Sequence, residues 1–553
     1  MNIGKPLPIQ LKLDQNERSD DTPTWVKPFL NSLDDSIFWC YPQKAKAETA
    51  WADFLGLDKE QVILTNGSDE AISVLFSTLE PASQVILPLP AFGVYMNQCS
   101  QWPIKAEIIQ AATDLSIDRE AVQKKLEQVQ NGLFILTRPN NPTGESIPGE
   151  LLISWLTLAQ ENGTMVLLDE AYAEFAGQTC LPLMEKYSNL MIIKTLSKAY
   201  GLAGFRIGIF LGSSAVLEPI RKRFMPFNLS SPAVELAVET VKPIVQNEVT
   251  QYCLRINKNR QHLFEILNSW GVSVFPGKGN FLLLKTGSPR NQLIANFLKS
   301  CGIAVRLFDR DGLRDTVRIT IPIELDLLIE VLGQVLRPEL ICLDVDGCLM
   351  DVSSSFDAAI VETVFHFTGS PVTTDDIGAL RTKTGYNSDF SLTHELVRQR
   401  GGKASLAEVT EVFELRYWGR PGSSGTQQNE KPLITPNTME FIEETCHTAL
   451  VTGRNRRELE PIFTFPVFSK NMFSITTDDV KEGKPHPAGI KLAQSKFGTQ
   501  KCWMVGDNVD DILAAVASNS VPIGIGEQNE EQLTRAGACI VLKDINEIRS
   551  LLS

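Results

Sequence analysis

"MVLLDEAYAEF", residues 165–175, carries four apolar residues into an acidic pair, Asp169 and Glu170. An apolar run of this length without alternation suits a strand covered on both faces, as in a parallel sheet. The runs "LFILT" (133–137), "LMIIKT" (190–195) and "ICLDV" (341–345) have the same build. Helical patterns such as "ELLISWLTLAQENG" (150–163) lie between such runs, so the fold class is α/β.

At 553 residues the chain exceeds one ordinary core. A prior of roughly 100–200 residues per domain predicts three or four structural units. Hydrophobic residues make up 43% and charged residues 21%, the balance of a folded globular protein. The N-terminal "MNIGKPLPIQLKLDQNE" lacks a signal-peptide pattern and no apolar run is long enough to span a bilayer, so a cytoplasmic address and no membrane partner are expected. The ten cysteines form no CxxC pair, as expected of reduced thiols and not of a disulfide frame or zinc site. A net charge of −14 argues against nucleic acid and leaves small molecules as the expected partners. "ELDLLIEVLGQVL" (324–336) reads as a closing helix stopped by Pro338. This predicts a first domain over 1–336 and a second over 337–553.

The densest chemistry of the first part lies in "TRPNNPTG" (137–144), "VLLDEAYAEF" (166–175) and "TLSKAYGLAGFRIG" (195–208), each running on from a predicted strand. Open α/β sheets bind ligands at those strand ends. Lys198 is an amine nucleophile set between the hydroxyls of Thr195 and Ser197 and the cation of Arg206. Such a set suits a phosphorylated carbonyl compound bound as a Schiff base. Pyridoxal phosphate fits, and its ring nitrogen calls for a carboxylate, which Asp169 supplies.

These stretches resemble the fold-type I pyridoxal-phosphate aminotransferases, and within them the histidinol-phosphate aminotransferase family. The resemblance implies a large, mostly parallel sheet domain with a small α/β domain. It makes Lys198 the Schiff-base lysine and proton shuttle, and Asp169 the partner of the pyridinium. Asn141 and Tyr172 would hydrogen-bond the ring's phenolic oxygen, and Phe92, in "PLPAFGVY", would stack on the ring. Ser68 and Asp69, in "TNGSDEAI", would offer backbone amides to the cofactor phosphate at a helix N-terminus. Tyr41, in "CYPQ", matches a tyrosine that reaches the phosphate of the other subunit, which implies a homodimer. Arg306 and Arg318 match positions that hold the anionic end of the substrate; planar guanidinium groups bind carboxylate or phosphate through two parallel hydrogen bonds. The N-terminal segment "LDQNERSDDTP" departs from the family pattern, no tyrosine precedes Tyr41, and Phe92 stands where tyrosine is commoner.

In "ICLDVDG" Asp344 and Asp346 sit one residue apart at a strand end, ahead of Gly347. The first carboxylate of such a pair can attack phosphorus while the second moves the proton of the leaving group. A divalent ion would offset the charge between two anions. "ALVTGR" (449–454), "KEGKPHP" (481–487) and "CWMVGDNVDDILAA" (502–515) add Thr452, Lys484, Asp507 and Asp511. In this order the four motifs resemble the haloacid dehalogenase superfamily of phosphatases, subfamily I: a Rossmann-like domain with a helical cap, here about 355–432. By that resemblance Asp344 is the nucleophile, Asp346 the general acid/base, and Thr452 and Lys484 the phosphoryl-binding residues. Asp344, the backbone carbonyl of Asp346 and Asp507 would ligate Mg²⁺, with Asp511 in support. His394 and His486 have no evident part in this chemistry.

The function expected is therefore bifunctional. A transamination with glutamate as amino donor, on a substrate such as imidazole-acetol phosphate, would precede hydrolysis of a phosphate monoester, as consecutive steps of histidine biosynthesis. The alternative is an aminotransferase for another amino acid, such as an aromatic one, joined to a phosphoglycolate-type phosphatase.

Overall fold

The computed structural model describes residues 8–18, 22–381, 386, 388–420 and 422–552. Residues 19–21 of the N-terminal segment, and 382–385, 387 and 421 of the expected cap, lie outside the described residues. By packing, the described residues form two compact units: 9–286 with 303–326, and 8 and 287–302 with 327–552.

The first unit is organised by a seven-stranded sheet. Its order is Val62–Asn66, Ile207–Leu211, Leu190–Thr195, Met165–Asp169, Leu133–Thr137, Gln84–Pro88 and Lys105–Ile109. Ile207–Leu211 is antiparallel to both neighbours, and the other pairings are parallel. The apolar runs at 133–137, 165–169 and 190–195 are adjacent central strands, buried along nearly their whole length, as unbroken hydrophobicity demands of a sheet covered on both faces. Their carboxyl ends therefore lie on one edge and deliver "TRPNNPTG", Asp169 and Lys198 together. The predicted helix after "LFILT" spans Gly149–Glu161, with Trp155 packed edge-on against Phe134. An antiparallel sheet of four strands, ordered Arg306–Leu307, Thr316–Thr320, Phe281–Lys285 and Ser273–Val274, carries Arg306 and Arg318. The N-terminal strand Leu11–Lys12 pairs with Ile303–Ala304 and so leads residues 13–16 past that sheet.

The second unit has six parallel strands in the order Phe473–Ile475, His447–Val451, Leu340–Leu343, Cys502–Gly506, Val521–Ile525 and Ile540–Leu542. The strand expected over 341–345 ends at Leu343. Beyond it the Val345 carbonyl accepts from the amides of Leu349 and Met350, turning the chain instead of extending it. The expected cap is helical over Phe356–Thr368, Thr374–Arg381, Asp389–Gln399 and Leu406–Trp418. Met350–Asp351 pairs with Lys431–Pro432, so the chain's exit to the cap and its return are tied side by side. Among the described residues no helix is long and apolar enough to cross a membrane.

Packing groups residues 287–302 and 327–336, which precede the expected division at 336/337, with the second unit. Helix Arg290–Ser300, and Asp326–Leu336 from Leu327 on, belong to it, and each has a hydrogen bond there. The Asn296 amide donates to the Cys539 carbonyl at 2.8 Å, and the Trp503 indole donates to the Gln334 carbonyl at 3.1 Å. Trp503 is fully buried in the strand next to Leu340–Leu343. Trp503→Ala should destabilise this unit by about 3–5 kcal/mol in denaturant unfolding. Trp503→Phe, which keeps a ring and loses one hydrogen bond, should cost about 1 kcal/mol. Equal losses in the two variants would show that Trp503 does not act through packing.

Candidate active sites

In the first unit a cavity of about 410 Å³ opens at the carboxyl edge of the large sheet, with Asp169, Lys198 and Arg318 among its walls. Asp169 is buried; its Oδ2 accepts from the Tyr95 hydroxyl at 2.8 Å and its Oδ1 from the Ala171 amide at 3.0 Å. Burial raises its pKa to about 6 in spite of these donors. Among the described residues no cation pairs with it, so the site offers a buried carboxylate where a protonated ring nitrogen would be stabilised. The Lys198 amine donates to the Gln15 carbonyl at 2.8 Å. Burial, and then the charges of Arg318 and Arg206, bring it down to about 8.

Asn141 joins the two sides of this site: its Oδ1 accepts from Arg318 Nη1 at 2.7 Å and its amide donates to the Tyr172 hydroxyl at 3.3 Å. The buried Arg318 also donates to the Asp14 carbonyl at 2.7 Å. At the other end Thr195 donates to Ser197 at 3.0 Å, and Arg206 reaches Ser197 and pairs with the Asp69 carboxylate at 2.7 Å. Asp69 thus meets Arg206 through its side chain, a contact the sequence reading did not include. Gly67, which opens the helix Gly67–Ser77, has φ +73°, and a Cβ there would lie 2.5 Å from Arg206 Nη2. Ser68 and Phe92 line the cavity, as does Arg306, whose guanidinium lies 5.9 Å over the Phe308 ring. Tyr41 does not line it: the ring is 76% exposed and stacks on Phe227.

Three contributors were not found from sequence. Tyr95 follows Phe92 by one helical turn, a spacing that could have placed it on the same face. Asn16, within the segment noted for its departure from the family, donates to the Tyr172 hydroxyl at 2.9 Å. Arg310 also lines the cavity, and its guanidinium lies where a Cβ on Gly93 would be.

In the second unit a smaller cavity, about 60 Å³, is bounded by Asp344, Asp346 and Asp507 from the core and by Arg381 and Asp389 from the cap. Lys484 is buried and bonds Asp344 Oδ1 at 2.6 Å, Asp511 Oδ1 at 2.5 Å and the Val451 carbonyl at 3.0 Å. Oxygens of Asp344, Asp507 and Asp511 lie within 4.8 Å of one another. One lysine does not balance three carboxylates. Burial and the neighbouring Asp511 raise Asp344 to about 7, and burial with Asp344 raises Asp507 well above the carboxylate range. A hard-oxygen donor set with surplus negative charge fits a divalent cation such as Mg²⁺. Gly347, at φ +73°, lets the loop approach: a Cβ there would sit 2.1 Å from Asp507 Oδ2.

Asp511 joins this carboxylate cluster, whereas the Asp346 side chain is held elsewhere, by Arg454. Thr452 is buried, and its hydroxyl accepts from the Arg454 amide at 3.1 Å. His486 is exposed beside Glu482.

Residues 8–332 match the model for class I and II aminotransferases, and residues 338–519 that for haloacid dehalogenase-like hydrolases. The histidinol-phosphate aminotransferase of Ruminiclostridium cellulolyticum is 31% identical over 324 residues, covering 57% of this chain and 88% of that protein. Histidinol-phosphate aminotransferase 1 of Bacillus cereus (strain ATCC 10987 / NRS 248) is 32% identical over 342 residues, covering 60% and 90%. The crystal structure of the histidinol-phosphate aminotransferase from Clostridium acetobutylicum is similar at a TM-score of 0.53 and 26% identity, over 58% of this chain and 98% of that one. The Sinorhizobium meliloti enzyme, solved in complex with pyridoxal-5'-phosphate, shares the fold at a TM-score of 0.53 and 24% identity, over 59% and 89%. With its model matched over more than half the length, the chain belongs to the class I and II aminotransferases, and a haloacid dehalogenase-like hydrolase segment follows in the same polypeptide.

Proposed function

We propose that the chain carries two consecutive activities: transamination of imidazole-acetol phosphate with glutamate in the part before residue 337, and hydrolysis of the resulting histidinol phosphate in the part after it. One observation carries this reading. The relatives of the first part are named for a reaction whose product is a phosphate monoester, and the second part gathers a strand-end aspartate, a lysine and a carboxylate cluster suited to attack on such an ester.

Pyridoxal phosphate, the group the first site would hold, supplies an electron sink for the carbon that exchanges its amino group. Asp169 would keep the ring nitrogen protonated, and Tyr95 and the Ala171 amide hold that carboxylate in place. Lys198 would attach the cofactor and then move a proton at the substrate carbon. Arg318, fixed by Asn141 and the Asp14 carbonyl, would bind the carboxylate of the amino donor. Arg306 and Arg310 place two further guanidinium groups in the cavity, suited to a second anionic group on the substrate. Tyr41, exposed and outside this cavity, would serve the partner subunit of a homodimer.

In the second site Asp344 would attack phosphorus, forming an aspartyl phosphate as the bond to the leaving oxygen breaks and Asp346 passes that oxygen a proton; water, losing a proton to Asp346, would then displace the Asp344 carboxylate from phosphorus and release inorganic phosphate. Lys484 and Thr452 would hold the phosphoryl oxygens. Asp344, Asp507 and the Asp346 carbonyl would hold Mg²⁺, with Asp511 beside them, and the ion supplies charge neutralisation between nucleophile and substrate.

The purified protein, supplied with glutamate and imidazole-acetol phosphate, should form 2-oxoglutarate, histidinol and inorganic phosphate. Failure to hydrolyse histidinol phosphate while other phosphomonoesters are cleaved would sink the consecutive reading. Lys198 gives a pH test. Only its neutral amine can attack the cofactor's carbonyl carbon, and its value of about 8 puts half of it in that form near pH 8. The initial rate at which apoprotein takes up pyridoxal phosphate, followed by the absorbance of the bound cofactor, should rise through pH 8 and level off above about pH 9. A rate still climbing about tenfold from pH 8 to pH 9, and rising further to pH 10, would show an ordinary lysine.

A further inference from the structure

Arg454 is not among the groups that the proposed hydrolysis uses, yet its side chain is only 1% exposed and every branch of it is bonded. Its Nε and Nη2 both donate to Asp346 Oδ1, at 2.9 and 2.6 Å. Its Nη1 donates to Glu430 Oε2 at 3.1 Å and to the Glu458 carbonyl at 3.0 Å. Glu430 Oε1 accepts from the Tyr417 hydroxyl at 2.7 Å and from the Ser355 hydroxyl at 3.2 Å. The guanidinium lies 5.0 Å over the Phe356 ring, which in turn packs 4.3 Å from Tyr417.

These partners fall at the two crossings between core and cap. Ser355 and Phe356 begin the first cap helix, Tyr417 belongs to the last turn of the fourth, and Glu430 directly precedes the Lys431–Pro432 strand that returns the chain. Asp346, by contrast, is on the core loop and lines the cavity beside Asp344. With Oδ1 taken twice, Oδ2 has no protein donor among the described residues, so one oxygen of the carboxylate is anchored and the other is left for the reaction. Removing the buried Glu430 carboxylate and the Arg454 guanidinium from water, with Asp346 half-buried beside them, costs several kcal/mol per buried ion, and an apolar cluster of the same shape would serve folding as well. Stability alone therefore does not account for the set.

We propose that Arg454 is a positioning residue for Asp346, and that through Glu430 it sets the direction of this carboxylate by the placement of the cap's two connections. The inference rests on the reading of Asp346 as the acid that protonates the leaving group. Arg454 does not touch the substrate; it fixes the acid relative to Asp344 and makes that alignment depend on the cap being seated.

The leaving group tests this. kcat/KM covers the steps up to departure of the leaving group, when Asp346 donates its proton, and excludes the later attack of water. An alkoxide leaves with that proton, whereas p-nitrophenolate leaves without one. Histidinol phosphate and p-nitrophenyl phosphate are therefore compared with the wild type, Glu430→Gln, Arg454→Lys and Asp346→Asn. Glu430→Gln and Arg454→Lys should lower kcat/KM for the alkyl ester about 10- to 100-fold, a share of the ~10²–10⁴ due to a general acid, with little change for the aryl ester. Asp346→Asn should show the same selectivity more strongly. Parallel losses on both esters, or no loss, in Glu430→Gln would overturn the positioning role, and because that variant keeps the side chain's shape the result stands even if Arg454→Lys fails to fold. A wild type that cleaves neither ester would overturn the hydrolase reading itself, and the inference with it.

Discussion

Burying an aspartate at the carboxyl end of a central parallel strand, without enough positive charge around it, is the constraint on which both units are built. Asp169 ends the middle strand of the seven-stranded sheet, and Asp344 follows the strand Leu340–Leu343 of the six-stranded one. Desolvation raises both, to about 6 and about 7. A carboxylate in such surroundings would be stabilised by a cation that arrives with the ligand: on the proposed reading, a protonated ring nitrogen for Asp169 and a divalent ion for Asp344. The two folds differ in how they supply the groups around these aspartates.

Around Asp169 the sheet supplies the neighbours. Three adjacent parallel strands bring Asn141, Asp169 and Lys198 to one edge, and the antiparallel strand Thr316–Thr320 adds Arg318. Around Asp344 the core supplies Lys484 and two more aspartates, while a helical insertion tied to the core by a two-stranded ribbon adds Arg381 and Asp389 to the cavity wall. Asp346 marks the difference. Its backbone belongs to the core, but its side chain is held by a guanidinium whose other contacts reach both ends of the cap.

The parts legible in the sequence were those with local causes. Unbroken apolar runs at 133–137, 165–169 and 190–195 are central strands because nothing polar interrupts them, and the motif residues at their ends fall together by topology alone. Contacts made by chain folding back were not legible. The aid given to Asp169 by Tyr95 spans 74 residues, and the Arg454–Asp346 pair spans 108. Arg454 stands two residues after Thr452 in a stretch singled out for its hydroxyl, and Glu430 sits in what reads as a plain Gly- and Ser-rich loop. The packing of helices Arg290–Ser300 and Asp326–Leu336 with the second unit escaped for the same reason: amphipathicity says that a helix has a buried face, not which sheet buries it.

Two centres in one chain, each organised by its own buried aspartate and lysine, should fail separately. The most direct measurement is product analysis by single-site variants supplied with glutamate and imidazole-acetol phosphate. Asp344→Asn should accumulate histidinol phosphate and release no inorganic phosphate, while Lys198→Ala should form none of it yet hydrolyse added histidinol phosphate at the wild-type rate. Loss of both reactions in either folded variant, or phosphate release undiminished in Asp344→Asn, would contradict the account.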